Sequence, residues 1–127
     1  MSTIEEAAVS HLITDAGVAA ITTKHHPLVM PQNAVLPLTV YQVISGPPDF
    51  IDHVNPRIQV ACWAVSYSAA VALGNAVRAA MHMQHATVSG LHFQSMVVNE
   101  MDGNPDLDAG HFCRIVDVKF FYQKPLT

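Results

Sequence analysis

Charge is scarce in this chain. Only 13% of its 127 residues are Asp, Glu, Lys or Arg, and just six of them are basic. Duplex nucleic acid is held by clustered Lys and Arg that release counterions. Six scattered cations and a formal net charge of −4 point away from that class. Long apolar runs are missing too, so no stretch approaches the roughly 18–20 residues needed to span a bilayer. Met1-Ser2-Thr3-Ile4-Glu5-Glu6 has neither the basic start nor the apolar run of a secretory signal. The expectation is a chain made and kept in a cytoplasm. Cysteine is limited to Cys62 and Cys113, each inside an apolar strand-like segment and neither in a ligand-spaced cluster. In a reducing compartment these read as two buried free thiols; a disulfide would require their strands to be neighbours.

The motifs of chemistry are equally sparse. There is no GxSxG elbow, no Gly-rich phosphate loop, and no sequence context that would activate either thiol. Eight histidines invite a metal reading. His25 and His26 are adjacent on a strand-like segment, so their rings point opposite ways. His82 and His85 are spaced i,i+3 and could share a helix face, but zinc needs three or four convergent ligands. Asp102-Gly103-Asn104-Pro105-Asp106-Leu107-Asp108 begins like a calcium loop and then departs from it. Leu107 stands where the turn glycine belongs and Cys113 where a bidentate Glu should close the site. This run reads instead as a solvated hairpin loop of turn formers. No catalytic residue, metal site or cofactor is expected.

What the sequence does contain is half apolar residues in a length suited to one domain, residues 1–127, able to bury its own core. Thr3 and Glu6 have the spacing of a capping box, and Ile4, Ala8 and Leu12, flanked by Val9 and Ile13, form an apolar helix face. Asp15-Ala16-Gly17 ends or breaks that helix, with a short turn from Val18 to Ile21. Pro27, Pro31 and Pro37 make residues 22–37 an edge strand or extended connection. Leu38–Ser45 and Arg57–Ala64 alternate as strands, the second with Ile58, Val60, Cys62 and Ala64 on one face. Between them, residues 49–56 form a loop. Ser66 caps a helix reaching about Met83, its apolar face drawn from Ala69 or Ala70, Leu73, Ala76 or Val77, Ala80 and Met81. Residues 87–98 read as a strand with a possible break near Ser89-Gly90. A polar loop from 100 to 110 precedes the strand 112–122, which has apolar residues on both faces. The resulting fold class is α+β: a mostly antiparallel sheet packed by two helices, in the order α-β-β-β-α-β-β.

Two loops stand out as contact surfaces. Phe50, Ile51 and Val54, with Asp49 and Asp52, place apolar groups in a loop, where a monomer would expose them or fold them back over the sheet. Asp102, Asn104, Asp106 and Asp108 line the second. These nine residues are the candidate subunit or tube interface.

Several segments, in order, carry a resemblance. They are Asp15-Ala16-Gly17-Val18-Ala19-Ala20-Ile21, then Pro27 and Pro31-Gln32, then Leu36-Pro37-Leu38-Thr39-Val40-Tyr41-Gln42 ending in Ile44-Ser45-Gly46. Arg57-Ile58-Gln59-Val60-Ala61-Cys62-Trp63-Ala64 follows, with Ala72-Leu73 and Ala76-Val77-Arg78 on the helix. Together they resemble the phage tail-completion, or tail-to-head joining, family across nearly the whole chain. The sequence departs from the family pattern at Lys24-His25-His26 and in its unusually apolar 49–56 loop. The resemblance implies a non-catalytic virion subunit without cofactors, assembled in the host cytoplasm. It would form a ring with copies of itself, usually six-fold, on the head-proximal end of a tail tube. There it would stop tube growth and meet the head's connector. The alternatives are a head-completion adaptor, a minor tail subunit, or a small oligomeric metal-dependent enzyme using His82, His92 and Asp106.

Overall fold

A computed structural model describes residues 4–45, 53–54, 56–88 and 90–123. The elements run α1 (Ile4–Thr14), α2 (Ala16–Ala19), β1 (His25–Pro27), β2 (Leu38–Ser45), β3 (His53–Val54) and β4 (Arg57–Ala64). They continue as α3 (Tyr67–Met81), β5 (Gln84–Val88), β6 (Leu91–Asp102) and β7 (Phe112–Gln123). The strands form one sheet in the order β1-β2-β4-β7-β6-β5, with β3 pairing to β7. Among the described residues only β1 and β2 run parallel; every other pairing is antiparallel.

The expected order changes at three places. Asp15 does not merely end the first helix: its carboxylate accepts a hydrogen bond from Val18 N at 3.0 Å and starts α2, so the described residues form three helices and not two. The strand expected over 87–98 is two antiparallel strands, β5 and β6, with Gly90 between them. Gly90 there adopts φ +83°, a conformation that favours glycine. Within the stretch read as a loop, His53 and Val54 pair with Gln123 and Tyr122, keeping the register that β4 holds on β7. The capping box involving Thr3 lies outside the described residues.

Alternation along β4 puts Ile58, Val60, Cys62 and Ala64 on the buried side, as its spacing predicts. Opposite them on β7 stand Val118, Val116, Arg114 and Phe112. Ser66 caps α3, its Oγ accepting from Ala69 N at 3.2 Å. The helix buries Ala70, Leu73, Gly74, Val77, Ala80 and Met81, and ends at Met81 because Met83 turns to φ +53° before β5. Of the paired alternatives on this helix, Ala70 and Val77 are the buried ones. α1 adds Ile4, Ala7, Ala8 and Leu12 to the same core; Ala7 takes the place expected of Ile13, which is exposed.

The core centres on Phe93 and Phe120, whose rings meet edge to face at 5.4 Å. His11 packs edge-on to Phe93, and its Nε2 donates to the Ala80 carbonyl at 2.8 Å, joining α1 to α3. Ser95 Oγ donates to Met81 O at 2.7 Å, joining β6 to the end of α3. α3 lies close on β7: a Cβ built at Gly74 would sit 2.7 Å from Arg114 Cγ. All three helices contribute to one apolar cluster on one side of the sheet.

Candidate assembly surface

The opposite side of the sheet follows from the same alternation. Register places Gln42, Gln59, Asp117 and Asn99 in one row across β2, β4, β7 and β6. Gln42 Nε2 donates to Gln59 Oε1 at 3.1 Å. Asp117 is 2% exposed and accepts from Arg57 Nη2 at 2.9 Å. Asp117 Oδ1 and Arg57 Nε have no hydrogen-bond partner among the described residues. A buried carboxylate of this kind is stable only with its cation in place. Beside this row lie Val40, Ala61, Ile115 and Met101, and next to them Leu38, Trp63 and Cys113. Trp63 is half-buried on this open face and does not belong to the main core.

The β6–β7 hairpin holds four of the expected interface residues. Asp102 accepts from Arg114 Nη1 at 2.8 Å and from the Tyr67 hydroxyl at 3.1 Å. The Arg114 hydrogen bond in particular holds its carboxyl below the ordinary carboxylate range. Arg78 pairs with Glu100 at 3.4 Å on the same strand. Gly103 donates its N–H to Cys113 O, and its backbone crosses so close to Cys113 that an added Cβ would be 2.6 Å from Sγ. Asn104, Asp106 and Asp108 are exposed. Asp106 and His111 exchange two backbone hydrogen bonds of 2.9 Å, Asp106 Oδ1 accepts from Ala109 N, and Gly110 adopts φ +72°. Leu107 stands out between the two aspartates with 73% of its surface exposed.

Asp49, Phe50, Ile51 and Asp52 lie outside the described residues. Val54 is placed only by its backbone, on β3 opposite Tyr122. The structure therefore gathers Asp102, Asn104, Asp106 and Asp108 into one hairpin. Asp102, itself exposed, is tied to Arg114 and Tyr67 there, while Asp106 and Asp108 flank the tip.

A second exposed feature went unread in the sequence. Between β1 and β2 the chain forms an arm over residues 28–37, on which Leu28, Val29 and Val35 are about 70% exposed. Leu28 and Asn33 adopt φ of 65° and 59°, the left-handed region that branched and bulky side chains rarely visit. Lys24 Nζ donates to Val35 O, setting a cation beside these apolar groups. The signal was three apolar residues interspersed with Pro27 and Pro31, which the proline spacing alone had marked as a connection.

The histidines and aspartate of the enzyme alternative are scattered. His82 caps the end of α3 and accepts from Val97 N through Nδ1. His92 bonds Thr87 near the β5–β6 turn, and Asp106 sits in the β6–β7 hairpin loop. Among the described residues no three His, Cys, Asp or Glu side chains converge to hold a metal ion. Cys62 and Cys113 are free and buried. Burial pushes both thiols up, Cys113 to about 11. No helix among the described residues is long and apolar enough to cross a membrane.

Comparison with protein families matches residues 6–123 to the family described as Tail completion protein gp17. No curated protein matches the chain. Seven chains of solved structures do. One is in the structure described as "Virion of native gene transfer agent (GTA) particle", with a TM-score of 0.71, 13% identity, and 92% of each chain covered. At that identity the likeness is one of fold. With a family match spanning almost its whole length, the chain belongs to the tail-completion family, the structural proteins of phage tails.

Proposed function

We propose that this chain forms a ring on the head-proximal end of a phage tail tube, where it stops tube growth and joins the tail to the head. The observation that carries this reading is the family match over residues 6–123. The geometry supplies a physical reason for self-assembly. Helices cover one side of the sheet, while β1 and β5 are its terminal strands. Exposed strand edges recruit further chains, and a closed ring of copies removes them. The partners are other copies of the chain, six to a ring, together with the tube protein below and the head's connector above. The role needs no catalysis and no cofactor, and assembly takes place in the host cytoplasm before the subunit becomes part of the virion.

Electron microscopy of lysates from a phage with a stop codon in this gene tests the proposal. Filled heads beside unattached tails of abnormal length are the expected result. Intact particles would overturn it. Normal tails beside heads that have lost their DNA would move the subunit to the head side of the joint, and labelling its position along the head–tail axis distinguishes the two.

A further inference from the structure

We propose that the tip of the β6–β7 hairpin docks on the 28–37 arm of the next copy, so that the ring is closed by a directional hairpin-to-arm contact. This rests on the ring reading above and names its contact. Two exposed surfaces of one chain match each other in chemistry. The hairpin presents one apolar side chain, Leu107, between two carboxylates, Asp106 and Asp108. The arm presents three apolar side chains, Leu28, Val29 and Val35, with the Lys24 ammonium fastened beside Val35. An apolar knob ringed by negative charge thus faces an apolar platform edged by positive charge, the complementarity that sets register and rejects wrong partners.

Both surfaces are held ready. The double backbone bond between Asp106 and His111, and the Asp106 carboxylate on Ala109 N, keep the loop from folding Leu107 away. On the arm, Leu28 N donates to Tyr41 O at 2.9 Å and Val29 N to Pro27 O at 2.7 Å while Leu28 holds its left-handed backbone. Strain of this kind persists where surrounding structure fixes it, and it gathers at binding surfaces. Pre-organised groups lose little freedom on contact. Leu28, Val29 and Val35 are each about 70% exposed on one short arm, more apolar surface than residues scattered singly present.

The arm lies between β1 and β2, and the hairpin tip lies at the end of β6 away from its pairing with β5. Two different surfaces that fit each other can repeat head to tail until a ring closes.

The test is a double variant, Val29→Cys with Leu107→Cys, treated with a short bis-maleimide in assembled tails and analysed on a denaturing gel. Cys62 and Cys113 are buried and their thiols pushed up, so they stay unreacted. A ladder of covalent oligomers from the double variant, and none from either single variant, is expected. As a second measurement, Asp108→Lys, which leaves the Asp106 bond to Ala109 N intact, should cut incorporation into tails by about fivefold, and Asp108→Asn by less. The contact is overturned if the double variant enters tails normally without a ladder, or if a single variant links to itself. Linkage of Leu107→Cys to the tube protein would overturn it as well. Absence of the unaltered chain from purified tails, seen by immunoblot before any cross-linking, would instead defeat the tail-ring reading.

Discussion

The two sides of this sheet are built from alternate residues of the same strands, yet they obey different rules. On the covered side of β4 and β7, Val60 faces Val116 and Ile58 faces Val118 beneath three helices. One residue along, on the open side, Gln59 faces Asp117 and Arg57 faces Lys119. The covered side is stabilised by area removed from water and tolerates few changes of volume. Among the described residues the open side has no helix layer, and it keeps a carboxylate that is 2% exposed through one guanidinium 2.9 Å away. A buried charge is thus placed on the side without helices, where a pair fixes geometry more than it adds stability.

Substitutions should separate the two sides. Phe93→Ala removes a fully buried ring that packs on both Phe120 and His11, and should cost about 3–5 kcal/mol in urea unfolding. Arg57→Ala should cost less, about 1–3 kcal/mol, because Asp117 loses its cation while Arg57 itself was already 39% exposed. Adding Asp117→Leu should recover much of that loss; failure to recover would mean that Arg57 acts through packing of its stem. Trp63→Ala should cost only about 1–2 kcal/mol, the indole being half-buried on the open side. If Trp63→Ala proved as damaging as Phe93→Ala, the open side would have to be counted as a second core.

The smallest expected effect is one of pH. Burial, with His26 adjacent, holds the His25 imidazole below its ordinary value of 6.5. A base whose folded value is depressed contributes stability that is present above the unfolded value and lost as pH falls through the folded one. Melting temperature should therefore slope downward from about pH 7 to about pH 5, and His25→Asn should flatten part of that slope.

Much of this arrangement could be read from sequence because it depends on local rules. Ser66 as a cap and the alternation of Ile58, Val60 and Cys62 are fixed by a few adjacent residues, and both appear as expected. The β5–β6 turn was legible only as a break near Ser89-Gly90, because Thr87, Val88, Leu91, His92 and Phe93 keep a strand-like composition across it. Asp117 and Arg57 are sixty positions apart, so their pairing depends on strand order, which no local pattern encodes. For the interface residues, turn chemistry gave the exposure of Asp106 and Asp108. It did not give the pairing of Asp102, whose partner Arg114 lies across the hairpin. Leu107 and the arm were passed over because an isolated apolar residue in a loop carries meaning only once its exposure and neighbours are known.

Cys62 and Cys113 sit on adjoining strands, where Cys113 is directly opposite Trp63, one position along from Cys62. That offset turns the two sulfurs to opposite sides of the sheet. Strand pairing therefore brings the two backbones together without bringing the sulfurs together, and the sheet itself stands between the only two thiols of the sequence.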